Sequence, residues 1–326
     1  MEQLNAANTL PSQNSRCGEL CLVLLSLLVI PVFLYGPGVL LLPTAGVFTA
    51  LLLDLAVQLL FKRKKRYRPD LHSVAVALVA TLLLSPSTPV WVAAVTVLVG
   101  LGIAKYLLGS LGYALFHPAA VGLAFSLLCW QPAVLSYPIP QNPLANTQGF
   151  LEPLSQALRM GYLPSVDYID LLLGQFAGPM GATAMLILAA CFLYLSFRRL
   201  TSPLTVLSAL AGAAAYAALF PRLITGRLDS MIYELAADAL VFGCIFIAGS
   251  PFGGPRTRYG RILYGVFLGL CTMLLRQVAG LSFSIVYALL LCDLALPLCR
   301  GLLILLAKRE KKSRSKPVPV WRPKKR

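Results

Sequence analysis

Apolar residues fall into ten runs, at about 18–35, 38–61, 71–86, 89–108, 113–134, 182–197, 203–220, 236–249, 262–279 and 283–306. A bilayer core about 30 Å thick takes roughly 20 apolar residues per helix, so runs of this length predict membrane-spanning helices. The breaks between them are helix-ending: Gly36-Pro37-Gly38, Ser85-Pro86, and the charged stretch "KRKKRYRPD". The 236–249 run is short for a straight span, and a helix broken at Ser250-Pro251 is expected there. The pattern predicts an all-α polytopic membrane protein with about ten transmembrane helices and no separate soluble domain.

Composition agrees. Of 326 residues, 58% are hydrophobic and 12% charged, where soluble proteins carry roughly a quarter charged; the mean hydropathy is +0.78. The opening "MEQLNAANTLPSQNSRCGEL" has neither the basic start nor the small-residue cleavage site of a secretory signal, so the first apolar run is expected to remain as an anchor. The eight cysteines form no CxxC or cluster-binding run and read as small core or lipid-facing residues.

The net charge of +16 sits in the loops and therefore speaks to topology. Placing "KRKKRYR" in the cytoplasm leaves only Arg159, Arg222, Arg227 and Arg276 of the 28 Lys and Arg outside. Both termini are then cytoplasmic. Residues 1–17 form the N-terminus, 18–306 the transmembrane domain, and 307–326 a basic tail suited to anionic lipid headgroups. No fold motif beside that tail points to nucleic acid. The longest loop, 135–181, falls outside, with a short helix expected near 151–160 and an apolar stretch at 168–173; loops of this length are usually functional or disordered. The stretches beginning at Ala77 and Ala239 share an apolar run, a Ser-Pro break and a second apolar run, with opposite orientation. An inverted five-plus-five repeat would produce that pattern.

Few residues carry chemistry. "GPMGATAM", 178–185, is a tight turn bounded by Gly178 and Gly181 ahead of a helix, with the Thr183 hydroxyl expected in the first turn, where free N–H groups favour an anion such as phosphate. On residues alone, Thr183 also reads as an ordinary small residue at a helix start. Arg276, near the outer end of its helix, suits either a phosphate or headgroup snorkelling. Asp54, Asp238 and Asp293 lie in or near apolar runs, where carboxylates are costly, and are candidates for an ion path or for structural pairing. Lys105 is expected to reach the inner headgroups. His117 reads as a helix-entry residue, with His72 in another loop its only candidate partner, so no metal site is expected. No Walker, Rossmann or nucleophile-elbow motif is present, and no catalytic residue is assigned.

"KYLLGSLGYALFHPAAVGLAF", "GQFAGPMGATAMLILA" and "AGSPFGGPRTRYGRILYGVFLGLCTMLLRQVAGLSFSIVYALLLCDLALPL" resemble, in order and spacing, the membrane flavoprotein family that contains RnfD of the Rnf complex and NqrB of the Nqr complex. The similarity runs from about 60 to 300 and is nearer to RnfD, since the longer N-terminal extension of NqrB is lacking. The resemblance implies FMN joined to Thr183 through a phosphoester at the outer face, with Gly178, Gly181, Arg276 and His117 as cofactor-binding candidates, and leaves a second flavin open. It further implies single-electron transfer within a complex linking ferredoxin and NAD to Na⁺ or H⁺ pumping. The implied partners are small membrane subunits and a flavin-bearing subunit at the outer face, in a bacterial or archaeal cytoplasmic membrane. NAD and ferredoxin would bind other subunits. Phe116-His117-Pro118-Ala119 stands where the family usually reads Phe-Asn-Pro-Ala; Ala182 and Ala184 replace neighbours of the threonine that are often acidic and Ser. A flavin-free scaffold and a solute transporter or channel are the rival readings.

Overall fold

The structure is a computed structural model that describes residues 13–62, 70–109, 116–138, 150–151, 153–223, 226–250, 254–255 and 257–296. The N-terminus before 13, most of the 62–68 basic run, and the 307–326 tail lie outside the described residues, and with them most of the charges behind the inside-outside assignment.

A helix underlies each of the ten apolar runs. In chain order these are α1 (Gln13–Ser26) with α2 (Val29–Tyr35), α3 (Leu41–Val57), α4 (Leu71–Leu82), α5 (Val90–Val99), α6 (Pro118–Cys129), α9 (Met185–Phe197), α10 (Pro203–Leu219), α11 (Arg227–Ala236), α12 (Arg258–Gln277) and α13 (Ser284–Leu296). Between α6 and α9, the loop holds α7 (Leu154–Met160) and α8 (Tyr168–Leu173). Among the described residues, four helices are long and apolar enough to cross a membrane: Ser15–Tyr35, Pro37–Leu60, Val90–Leu108 and Arg227–Ala248. The surface is correspondingly apolar, with Phe33, Phe48, Leu60, Leu128, Phe197, Leu219 and Leu263 all exposed, a surface suited to lipid rather than water.

Two segments differ from the expected layout. The eighth helix starts at Arg227, well before residue 236, because α11 continues the outer loop's packing: Leu154, Leu158, Leu171, Phe176 and Tyr233 share one apolar cluster. Tyr233 donates to the Val166 carbonyl at 2.7 Å, and Tyr168 donates to Asp229 Oδ1 at 2.6 Å. The same helix breaks at Asp238 and Ala239, whose φ angles are +54° and +57°, left-handed values that are strained for residues other than glycine. A π-helical stretch, Gly243–Ala248, follows. The helix ends at Ala248, just ahead of the expected break at Ser250-Pro251, so the one at Asp238 and Ala239 is an additional break; Pro251 itself lies outside the described residues.

The interior is close-packed by small residues. Where α10 crosses α12, a Cβ on Gly265 would lie 2.6 Å from the Thr205 carbonyl oxygen, and one on Gly269 would lie 2.2 Å from that of Ala209. Such small-residue seams let membrane helices pack backbone to backbone.

Candidate functional site

The Gly178–Thr183 turn closes the end of α4. Met180 N–H donates to the Leu84 carbonyl at 3.2 Å and Gly181 N–H to the Leu82 carbonyl at 2.8 Å. These donors satisfy carbonyls that a helix C-terminus leaves without partners. Glycine is required by contact: a Cβ at 181 would meet Leu82 Cβ at 2.8 Å, and one at 178 would meet Thr183 Cγ2 at 2.9 Å. Thr183 lies just ahead of α9 rather than in its first turn, since the helix begins at Met185 with Ala184 as its N-cap. Its side chain is buried, at 3% exposure.

Beside the turn is a cavity of about 10 Å³ lined by Gly178, Pro179, Ala182, Phe176, Asp238 and Ala239 among others. That is room for about one water. It joins the turn to the helix break, and the break is held by Arg276. The Arg276 side chain has no exposure, so it does not snorkel. Its Nη1 lies 3.0 Å from Glu234 Oε2 and also reaches the Glu234 carbonyl; Nη2 donates to the Ala237 carbonyl at 3.0 Å. Its Nε is 3.4 Å from Asp238 Oδ2. Arg222 adds a second guanidinium, with Nε 3.7 Å from Glu234 Oε1 and Nη2 donating to the Arg276 carbonyl at 3.1 Å. Asp238 is thus buried and paired, and Arg276 is committed to two carboxylates and two carbonyls of the broken helix. Neither Glu234 nor Arg222 was singled out from sequence. They stand 42 and 54 residues from Arg276, with no local spacing to link them.

The remaining candidates gather at the opposite end of α4. Asp54, buried at 1% exposure on α3, accepts from Ser73 Oγ at 2.9 Å and from the Tyr106 hydroxyl. Lys105 stands in a π-helical continuation of α5, Gly100–Leu108, and its Nζ lies 3.3 Å from Asp54 Oδ1 and 2.8 Å from Asp70 Oδ2. It does not simply extend to headgroups. Burial raises the Asp70 carboxyl pKa, but the Lys105 ammonium and the His72 backbone N–H together outweigh it and the net direction is downward. Next to Lys105 is a cavity of about 140 Å³ lined by His72, His117, Tyr264 and Asp293, with Ile247, Leu289 and Leu296 as apolar walls. The two histidines predicted to belong to separate loops therefore face one cavity, and Asp293 accepts from Tyr264 at 2.8 Å. Among the described residues no group of three or more His, Cys, Asp or Glu could hold a metal. His117 is separated from Thr183 by the length of α4, about 18 Å for twelve residues.

The model of the NQR2, RnfD, RnfE family matches residues 11–304. The chain belongs to this family. The match begins well before residue 60, so α1 to α3, as well as the motif-bearing helices, are part of the family's NQR2, RnfD, RnfE domain. Relatives include the D subunit of the ion-translocating oxidoreductase complex of Pseudomonas aeruginosa strain UCBPP-PA14, 28% identical over 81% of this chain and 83% of the relative. That of Vibrio cholerae O395 is 25% identical over 83% and 88%, and that of Alcanivorax borkumensis 26% over 71% and 73%.

The turn can be tested against the covalent flavin that the resemblance implies. The hydroxyl of Thr183, a glycine cradle that a Cβ would fill, and first-turn N–H groups of α9 fit the phosphoester end of FMN. The ring does not fit the 10 Å³ cavity, so an attached flavin would stand outside the turn. Arg276 is already paired and does not supply the phosphate's counter-charge.

Proposed function

We propose that this protein is the D-type membrane subunit of an Rnf-like ion-translocating oxidoreductase, with ten spans in an inverted five-plus-five arrangement and both termini in the cytoplasm of a bacterium or archaeon. FMN is esterified to Thr183 at the outer face. Bound there, it would supply single-electron steps between the complex's other carriers, coupled to Na⁺ or H⁺ movement. The chain's own part is to fix the attachment point, through the α4 cap made by Met180 and Gly181, and to exclude water beneath it. The observation that carries this reading is a threonine in a glycine-bounded turn at an open helix start, in a chain of this family.

Its partners are the ferredoxin- and NAD-binding subunits, a flavin-bearing subunit at the outer face and small membrane subunits. A second flavin would need more room than the His72–His117 cavity offers, since cofactor pockets usually exceed about 300 Å³.

One specific observation favours a second reading. Thr183 is buried beside a cavity of one water's size, as a flavin-free scaffold subunit would have it. The two separate on a denaturing gel. Protein made in cells that flavinylate other proteins should show a fluorescent band, and Thr183→Ala should show none while still co-purifying with partner subunits. A dark wild-type band that still pulls down partners would sink the flavin assignment and leave the scaffold.

A further inference from the structure

Asp54 on α3 and Asp70 and Ser73 at the start of α4 bring oxygen atoms to one partly buried point, where the Lys105 ammonium nitrogen stands, and the Tyr106 hydroxyl donates to the same Asp54 Oδ1. Carboxylate and hydroxyl oxygens around a single positive charge are what a small hard cation requires when it leaves water. Asp54 Oδ2 is buried and has no hydrogen-bond partner, which leaves a strong acceptor that the lysine does not fill. A buried carboxylate oxygen in that state is costly.

We propose that Asp54, Asp70 and Ser73, with Tyr106 holding Asp54 in place, form a binding site for one small monovalent cation, occupied in this state by the chain's own Lys105 side chain. The tether makes the bound cation intramolecular. Free Na⁺ or ammonium therefore enters only when Lys105 withdraws, and the cavity that Lys105 lines with His72 and Asp293 gives its head a place to go. The π-helical stretch carrying Lys105 supports this assignment, since π segments interrupt regular helix pairing and are frequent at functional sites.

The test uses the purified full-length chain in detergent, with thermal unfolding followed in sodium, ammonium or choline chloride at equal ionic strength. Wild type should unfold at one temperature in all three salts. Lys105→Met should be destabilised in choline and restored, saturably, by sodium or ammonium. Asp54→Asn combined with Lys105→Met should be indifferent to the salt. Equal behaviour of Lys105→Met in sodium, ammonium and choline overturns the proposal, as does a wild-type response to sodium as large as the variant's. If Lys105→Met cannot be recovered in any salt while the double variant can, no free cation replaces the ammonium and the site is refuted. Loss of both variants would assign Lys105 to packing and refute it equally. None of these readouts involves flavin, so failure of the Thr183 assignment leaves the outcome intact.

Discussion

Arg276→Ala is expected to remove most folded protein from the membrane fraction, a larger effect than any change at Thr183. The substitution leaves Glu234, with no exposed side-chain surface, facing only Arg222 at 3.7 Å, and uncaps the Glu234 and Ala237 carbonyls of the broken helix. Removing one partner of a buried pair typically costs about 3–5 kcal/mol, because the remaining charge stays desolvated. Arg276→Lys should recover only part of this, since an ammonium cannot bridge a carboxylate and two carbonyls as a planar fork does. Arg276→Met with Glu234→Gln should be milder than Arg276→Ala alone. Monodisperse yield by size-exclusion chromatography with a fluorescent tag measures all three. A wild-type yield for Arg276→Ala would show that the cluster does not hold the break.

Gly269→Leu should be as damaging, by a different route. The atoms that a Cβ would strike are backbone, the Ala209 carbonyl oxygen at 2.2 Å and the Ala213 nitrogen at 2.7 Å. No side chain can swing aside, so α10 and α12 must separate along their contact. In a membrane, lost packing is not offset by hydrophobic collapse, because lipid tails are as apolar as the side chains. Gly102→Leu is the matched control, since a Cβ there meets nothing within 4 Å. The thermal midpoint of Gly102→Leu should stay near wild type while Gly269→Leu unfolds in detergent. Equal midpoints would show that the seam yields easily.

The helices were legible because runs such as 203–220 and 182–197 are apolar almost from end to end, and an unbroken apolar run of that length is most readily accommodated as a helix. Their polar interruptions were less so. The break at Asp238 and Ala239 carries no glycine or proline, and the Arg276 that pairs with it stands 38 residues on. Asp54 and Lys105 were each visible as lone charges near the same end of the bundle, which was the available sign that they meet. The Thr183 turn was found for its glycines. The sequence could not show that those glycines also serve the end of α4, since that contact joins residues about a hundred positions apart.

Thr183 and Lys105 stand at opposite ends of α4, about 18 Å apart along a helix of twelve residues. That is more than half of a hydrocarbon core about 30 Å thick. With α4 set across the membrane, as in the proposed ten-span arrangement, a single charge carried from one end to the other would do work of about 1.4 kcal/mol for each 100 mV of membrane voltage, given about 2.3 for the full crossing. Under that proposal, chemistry at either end would be sensitive to the cell's energisation, and one helix length would set how steep that sensitivity is.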